Sequence, residues 1–175
     1  RAVHDLGQTT YQQQSLARLA TRRDEIAERC VQSEIGGWLE GLLTAKRVLQ
    51  VSYAGQTWWA AVEDIGRLRD GVGVAVPVGV PMAFLEPIVD PLGELLSRYA
   101  RTRGPFTTAD AASRFGLGLR VAADVLGRLA ADRKLVRGEF SDVPTDFGGV
   151  EQWCDAEVLR ILRRRSLAAL RAQIE

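Results

Sequence analysis

The stretch from Asp90 to Phe140, DPLGELLSRYARTRGPFTTADAASRFGLGLRVAADVLGRLAADRKLVRGEF, decides the fold. Asp90 predicts an N-cap and Pro91 the first helical position, where a missing N–H costs nothing. Leu92, Leu95, Leu96 and Tyr99 recur at three- and four-residue spacing and give this helix one apolar face. It must stop before Gly104-Pro105. Phe106-Thr107 reads as a short extended piece. Thr108 predicts the cap of a second helix over 109–115, with Asp110 favoured at its positive end. After the turn Gly116-Leu117-Gly118, a third helix over 119–133 buries Val121 or Ala122 with Val125, Leu126 and Leu129. Residues 135–140 read as a strand, 141–149 (SDVPTDFGG) as a loop and 150–154 as the returning strand. Asp155 then caps a last helix with apolar positions at Val158, Leu159, Leu162, Leu167 and Leu170. Three helices and a two-stranded ribbon make the order of a winged helix, a module that most often grips nucleic acid.

The first half closes the same way. A helix over 33–46 has Ser33 as N-cap, Glu34 in its first turn, and an apolar face of Ile35, Trp38, Leu39, Leu42 and Leu43. Lys46 and Arg47 close it with positive charge. Leu49, Val51 and Tyr53 alternate with polar residues over 48–53, Ala54-Gly55-Gln56 supplies a turn, and 58–62 returns. Upstream, 10–31 is helix-prone, with Thr21 a candidate cap. Residues 63–70 form a short helix with Gly71 as its stop. Glycines and prolines then break every pattern as far as Pro91. Val74, Val76, Val78, Val80, Met82, Phe84 and Leu85 predict that this apolar linker lies pinned against one or both domains. The expected fold is α+β, mostly helical: two tandem winged-helix domains with small antiparallel β wings. The first domain spans 1–71, with its start expected to be truncated; the linker spans 72–89; the second domain spans 90–175 and ends in an Arg-rich helix.

Bulk composition narrows the function classes. The 175 residues carry 23 Lys and Arg against 22 Asp and Glu, a net charge of +1. Any attraction for phosphate must therefore come from local clustering. Residues 1–89 hold 9 basic and 10 acidic side chains, and 90–175 hold 14 and 12. No apolar run approaches the roughly 18 to 20 residues that cross a bilayer, so no membrane partner is expected. Cys30 and Cys154 lie far apart, as expected for reduced thiols in a cytosolic protein. With the single His4 they give no metal-ligand spacing. His4 has no acid or nucleophile at a helpful distance in sequence, and no catalytic residue is expected. The start at Arg1 has neither an initiator Met nor a signal core, and the end stops within a helical pattern. A piece of a longer protein is expected.

The segments DPLGELLSRYARTRGPFTTADAASRFGL, LGRLAADRKLVRGEF and EQWCDAEVLRILRRRSLAALR, with WWAAVEDIGRLRDGVGVAVPVGVP before them, resemble the C-terminal winged-helix region of large helicase-related (Lhr) ATP-dependent DNA helicases. The similarity covers about residues 35–175. The resemblance implies a bacterial, cytoplasmic, nucleoid-associated parent with two motor domains preceding such modules, and C-terminal regions similar to winged-helix DNA glycosylases. This chain has no GxxxxGK[ST] phosphate loop, so ATP and Mg are expected only in the parent's motor domains, and no cofactor here. The acidic loop 141–149 departs from the family by lacking basic residues. The expected partners are DNA, contacted non-specifically, and other domains of the parent. The alternatives are a protein–protein scaffold, a glycosylase-like subdomain, or a transcription regulator.

Candidate contacts follow from charge. The third helix of the second domain is the natural reading helix. Its outer face presents Arg120, Ala123, Asp124, Gly127, Arg128 and Ala131. Only Arg120 and Arg128 suit nucleic acid, and the smooth strip of Ala123, Gly127 and Ala131 suits close packing equally well. Arg160, Arg164 and Arg171 fall near one face of the last helix, beside Arg163 and Arg165. They read as a phosphate stripe, or as a solvated surface paired with Asp155 and Glu157. Lys134 and Arg137 could extend the stripe, whereas Arg133 reads as a helix-end charge. Thr107 and Thr108 at a helix start could hold a phosphate or simply cap. Trp58 and Trp59 could stack on bases, but at most one of two neighbouring strand residues is core.

Overall fold

The computed structural model describes residues 22–29, 35–140 and 150–172. His4, Thr21, Cys30, Ser33 and the loop 141–149 lie outside the described residues. The chain divides into two compact units, Arg1–Pro91 and Leu92–Glu175. The structure is mostly helical, with two small antiparallel sheets.

In the first unit, α1 (Arg23–Arg29) and α2 (Ile35–Thr44) precede a hairpin of β1 (Val48–Tyr53) and β2 (Gln56–Ala61). Val51 pairs with Trp58 and Tyr53 with Gln56, so the turn is the two residues Ala54-Gly55. Both have positive φ, 50° and 69°, as a mirror-type hairpin turn requires. Gln56 therefore belongs to the returning strand, not to the turn. Val48, Val51, Tyr53 and Trp58 face inward with Leu39 and Ile26. Trp58 stacks on Tyr53 at 4.9 Å between centroids and donates its indole N–H to the Tyr53 carbonyl at 3.0 Å. It is thus a core residue, and Trp59 is half-buried.

A 3-10 turn (Val62–Asp64) leads into α3 (Ile65–Val72). This helix ends at Gly73, φ 71°, whose N–H reaches the Leu68 and Arg69 carbonyls. The expected stop at Gly71 is wrong: the left-handed residue that closes the helix is Gly73, whose N–H returns to the Arg69 carbonyl in the αL pattern. The following segment folds back on α3. Arg69 Nη1 donates to the Leu85 carbonyl at 2.9 Å, and the Ile88 N–H donates to Asp70 Oδ2 at 3.0 Å. Hydrogen bonds from Arg69 and from the Ile88 amide hold the Asp70 carboxyl below its ordinary pKa. The apolar residues of this segment divide: Val74 is buried, whereas Val78, Met82 and Val89 are exposed. The expectation that Val78 and Met82 would leave solvent fails, because the strap is held by side-chain bonds to its backbone rather than by apolar burial.

The close approach of the strap fixes Gly66. A Cβ there would sit 2.7 Å from the Phe84 carbonyl oxygen, a backbone atom that cannot swing away. Gly66→Ala is expected to destabilise this unit by about 1–3 kcal/mol through overpacking. A urea titration followed by tryptophan fluorescence checks it; an unchanged midpoint would show that the strap shifts freely.

The second unit runs α4 (Pro91–Arg101), α5 (Thr108–Phe115), α6 (Leu119–Ala131), β3 (Leu135–Gly138), β4 (Gln152–Asp155) and α7 (Ala156–Ala172). This is the element order of a winged helix. Leu95, Leu96, Tyr99, Phe115, Leu126, Leu129 and Trp153 form its core. Of the pair weighed for α6, Ala122 is buried and Val121 is 46% exposed. Phe106 pairs with Trp153 through reciprocal backbone bonds of 2.9 and 2.7 Å and adds a third short rung to the ribbon. Leu159 is buried on α7, but Leu162 and Leu167 of the expected apolar face are exposed. Cys154 is a free, fully buried thiol whose pKa is raised, first by burial and then by the charge of Asp155.

Candidate nucleic-acid interface

Both threonines of the candidate set make hydrogen bonds within the protein. Thr107, not Thr108, caps α5: its Oγ1 accepts from the Asp110 N–H at 3.1 Å, and Asp110 Oδ2 accepts from the Thr107 N–H at 2.8 Å. This reciprocal capping box satisfies the helix start and places a carboxylate where a phosphate was expected. The cap sits one residue earlier than expected, and Thr108 is the first residue of the helix. Its Oγ1 accepts the Trp153 indole N–H at 2.9 Å.

Helix α6 exposes Arg120, Asp124, Gly127, Arg128 and Ala131. A Cβ added at Gly127 would meet nothing within 4 Å. Gly127→Ala is therefore expected to stabilise the helix by about 0.5–1 kcal/mol through lower backbone entropy in the unfolded chain. A thermal melt reads it, and a lowered midpoint would mean that this face is covered.

Charge on α7 divides into held and unheld groups. Asp155 Oδ1 caps the helix, accepting from the Glu157 and Val158 N–H groups at 2.9 and 3.1 Å. Glu157 takes the Arg160 Nε–H at 2.9 Å; this bond lowers the Glu157 pKa and raises that of Arg160. Arg163, Arg164, Arg165 and Arg171 are exposed and make no ion pair among the described residues. Arg160, Arg164 and Arg171 share one continuous helix, with Arg160 partly neutralised. Arg137 is paired with Glu151 and lies 5.6 Å over the Trp153 ring. Lys134 Nζ is 3.9 Å from Asp132.

A groove of about 690 Å³ gathers the end of α4, the turn after α6 and the start of α7. Arg101, Arg133, Lys134 and Arg160 line it with Asp155 and Glu157. Of these, sequence reading singled out Lys134 and Arg160 as contacts, took Arg133 as a helix-end charge and passed over Arg101. Nothing in the pattern of Arg101 marks it, because its place beside the α6 turn is tertiary. Arg133 carried a readable signal: a helix end with no glycine. It has φ 59°, a conformation that costs a side-chain-bearing residue roughly 1–2 kcal/mol. Among the described residues no group of three His, Cys, Asp or Glu is placed to hold a metal. No helix of the described residues is long and apolar enough to cross a membrane.

Residues 18–87 match the winged-helix domain model of the large helicase-related protein. Over 151 residues, 86% of the chain, it is 69% identical to a Mycolicibacterium smegmatis protein named Lhr helicase/probable uracil glycosylase. The chain belongs to the large helicase-related family. An Escherichia coli protein named Lhr helicase/uracil glycosylase is 33% identical over 150 residues. This large helicase-related chain spans about a tenth of the length of either relative, 10% and 9%. The matched segment ends at Pro87, within the strap.

Proposed function

We propose that this chain is a non-catalytic accessory segment of an ATP-dependent DNA helicase, with two tandem winged-helix units that contact the DNA backbone without reading sequence. The observation that carries the reading is the set of exposed arginines on α7, Arg163, Arg164, Arg165 and Arg171, that make no ion pair among the described residues. Guanidinium groups grip phosphate oxygens in forked geometry whatever the base. The exposed face of α6 offers Ala123, Gly127 and Ala131, none of which can hydrogen-bond a base edge. Arg120 and Arg128 on that helix can add phosphate contacts. In this reading ATP and Mg belong to motor domains outside the chain, and the partners are DNA and those domains, in the bacterial cytoplasm at the nucleoid. Fluorescence anisotropy with two labelled oligonucleotides of unrelated sequence tests it. Equal affinities that weaken with salt are expected, and absence of binding at low salt would end the DNA-contact reading.

The names of both relatives favour one second reading, a subdomain of a uracil glycosylase site. Such a site needs a positioned acid and aromatic walls around an extruded base. Incubating the chain with uracil-containing DNA tests it: uracil release by the chain alone would establish the second reading over the first.

A further inference from the structure

The two units end the helix before their ribbon with the same unusual device. In the first, Lys46 has φ 54°, its N–H reaches the Leu43 carbonyl at 2.9 Å, and the Arg47 N–H reaches Leu42 at 2.9 Å. In the second, Arg133 has φ 59°, its N–H reaches Ala130 at 2.9 Å, and the Lys134 N–H reaches Leu129 at 3.0 Å. Both are Schellman closures, whose left-handed position glycine ordinarily fills. Each second basic residue then accepts a backbone bond from the residue after the ribbon: Val62 N–H to Arg47 at 3.0 Å, Ala156 N–H to Lys134 at 3.1 Å. The fold thus holds two adjacent cations at an equivalent point of each unit, at a backbone conformation where glycine would serve the fold better. Strain kept in this way is a mark of a functional side chain.

In the second unit the turn opens on the groove lined by Arg101, Arg133, Lys134 and Arg160. Its two carboxylates are already engaged. Asp155 caps α7 and Glu157 holds Arg160. Arg101 and Arg133 make no ion pair among the described residues, and Lys134 reaches Asp132 only at 3.9 Å. We infer that this groove seats a phosphodiester of a nucleic-acid strand, gripped by Arg101, Arg133 and Lys134, and that Lys46-Arg47 makes the corresponding contact in the first unit. A polymer with one charge per residue suits two equivalent cationic turns in tandem. The contact lies at the helix–ribbon turn, apart from the outer face of α6 and from the exposed arginines along α7. The inference rests on the DNA-contact reading above and says where the strand sits.

The test is anisotropy with a fluorescein-labelled thymidine oligomer across a salt series, beside thermal melts, on the full chain. Arg133→Gly and Lys46→Gly are each expected to raise the melting temperature while weakening binding and lowering the salt slope by about 0.7. Arg101→Ala is expected to weaken binding with little change in melting. Gains in stability with unchanged affinity and slope would overturn the proposal. So would a loss of stability in Arg133→Gly with unchanged binding in Arg101→Ala. Competition by polyglutamate as effective as by unlabelled oligomer would also overturn it, in favour of an acidic protein partner. A wild-type chain that does not bind at all defeats the broader DNA reading, whereas binding that ignores all three substitutions defeats only this placement.

Discussion

Alanine at Phe115 is expected to cost the second unit about 3–5 kcal/mol, enough to unfold most of a marginally stable small domain. Phe115 is 2% exposed and meets the Tyr99 ring edge-on at 5.7 Å. Tyr99 in turn meets Phe106 edge-on at 5.0 Å, and Phe106 is bonded to the ribbon through Trp153. Removing the ring therefore opens a cavity beside Tyr99, where α4, α5 and the ribbon are joined through ring contacts. Hydrogen exchange read by mass spectrometry separates the units. Amides of α4, α5 and α6 should lose protection while those of β1 and β2 keep theirs. Unchanged protection in α5 would show that the cavity collapses at little cost, and loss in both units together would show that they unfold as one.

DNA affinity is expected to fall by about a hundredfold when salt rises from about 50 to about 200 mM. The figure follows from counterion release, with a slope near 0.7 per phosphate contact on a single strand and about five contacts. On the helix surfaces Arg120, Arg163, Arg164, Arg165 and Arg171 supply that number, since each is exposed and makes no ion pair among the described residues, and contacts at the helix–ribbon turns would steepen the fall further. Arg160 and Arg137 should add less, because Glu157 and Glu151 already neutralise them. The net charge of +1 gives no long-range field, so local charge must do the work. An affinity that stays flat across the salt series would mean that contact is not made through phosphates. A strong preference between two sequences would mean that bases are read.

Local chemistry in the sequence was enough to place most elements. Pro91 begins α4, and the Asp155 carboxylate does cap α7. The spacing of Val125, Leu126 and Leu129 marked the buried face of α6. These features act over one or two helical turns, so neighbouring residues suffice to read them. The misplaced helix end at Gly73 and the turn at Ala54-Gly55 were off by one or two residues within a local motif, whereas other errors involve contacts distant in sequence. Thr108 is a good cap residue, yet Thr107 is the cap, and the Thr108 hydroxyl accepts a bond from Trp153, 45 positions away. Val78 and Met82 are apolar, yet bonds from Arg69 and Asp70 hold the strap with both exposed.

The candidate site shows the same division. The amino-acid order by itself determined which residues are cationic, that Arg160, Arg164 and Arg171 share a helix face, and that a helix–ribbon pattern occurs in each half. Those are properties of period and charge along one element. Tertiary structure alone decided which cations from separate elements are paired and which converge. Arg137 is paired with Glu151 from the facing side of the ribbon, while Arg101 and Arg133, from elements far apart in sequence, came to line one groove. Ion pairing and convergence depend on distances of a few ångströms between separate elements, and only packing sets those distances.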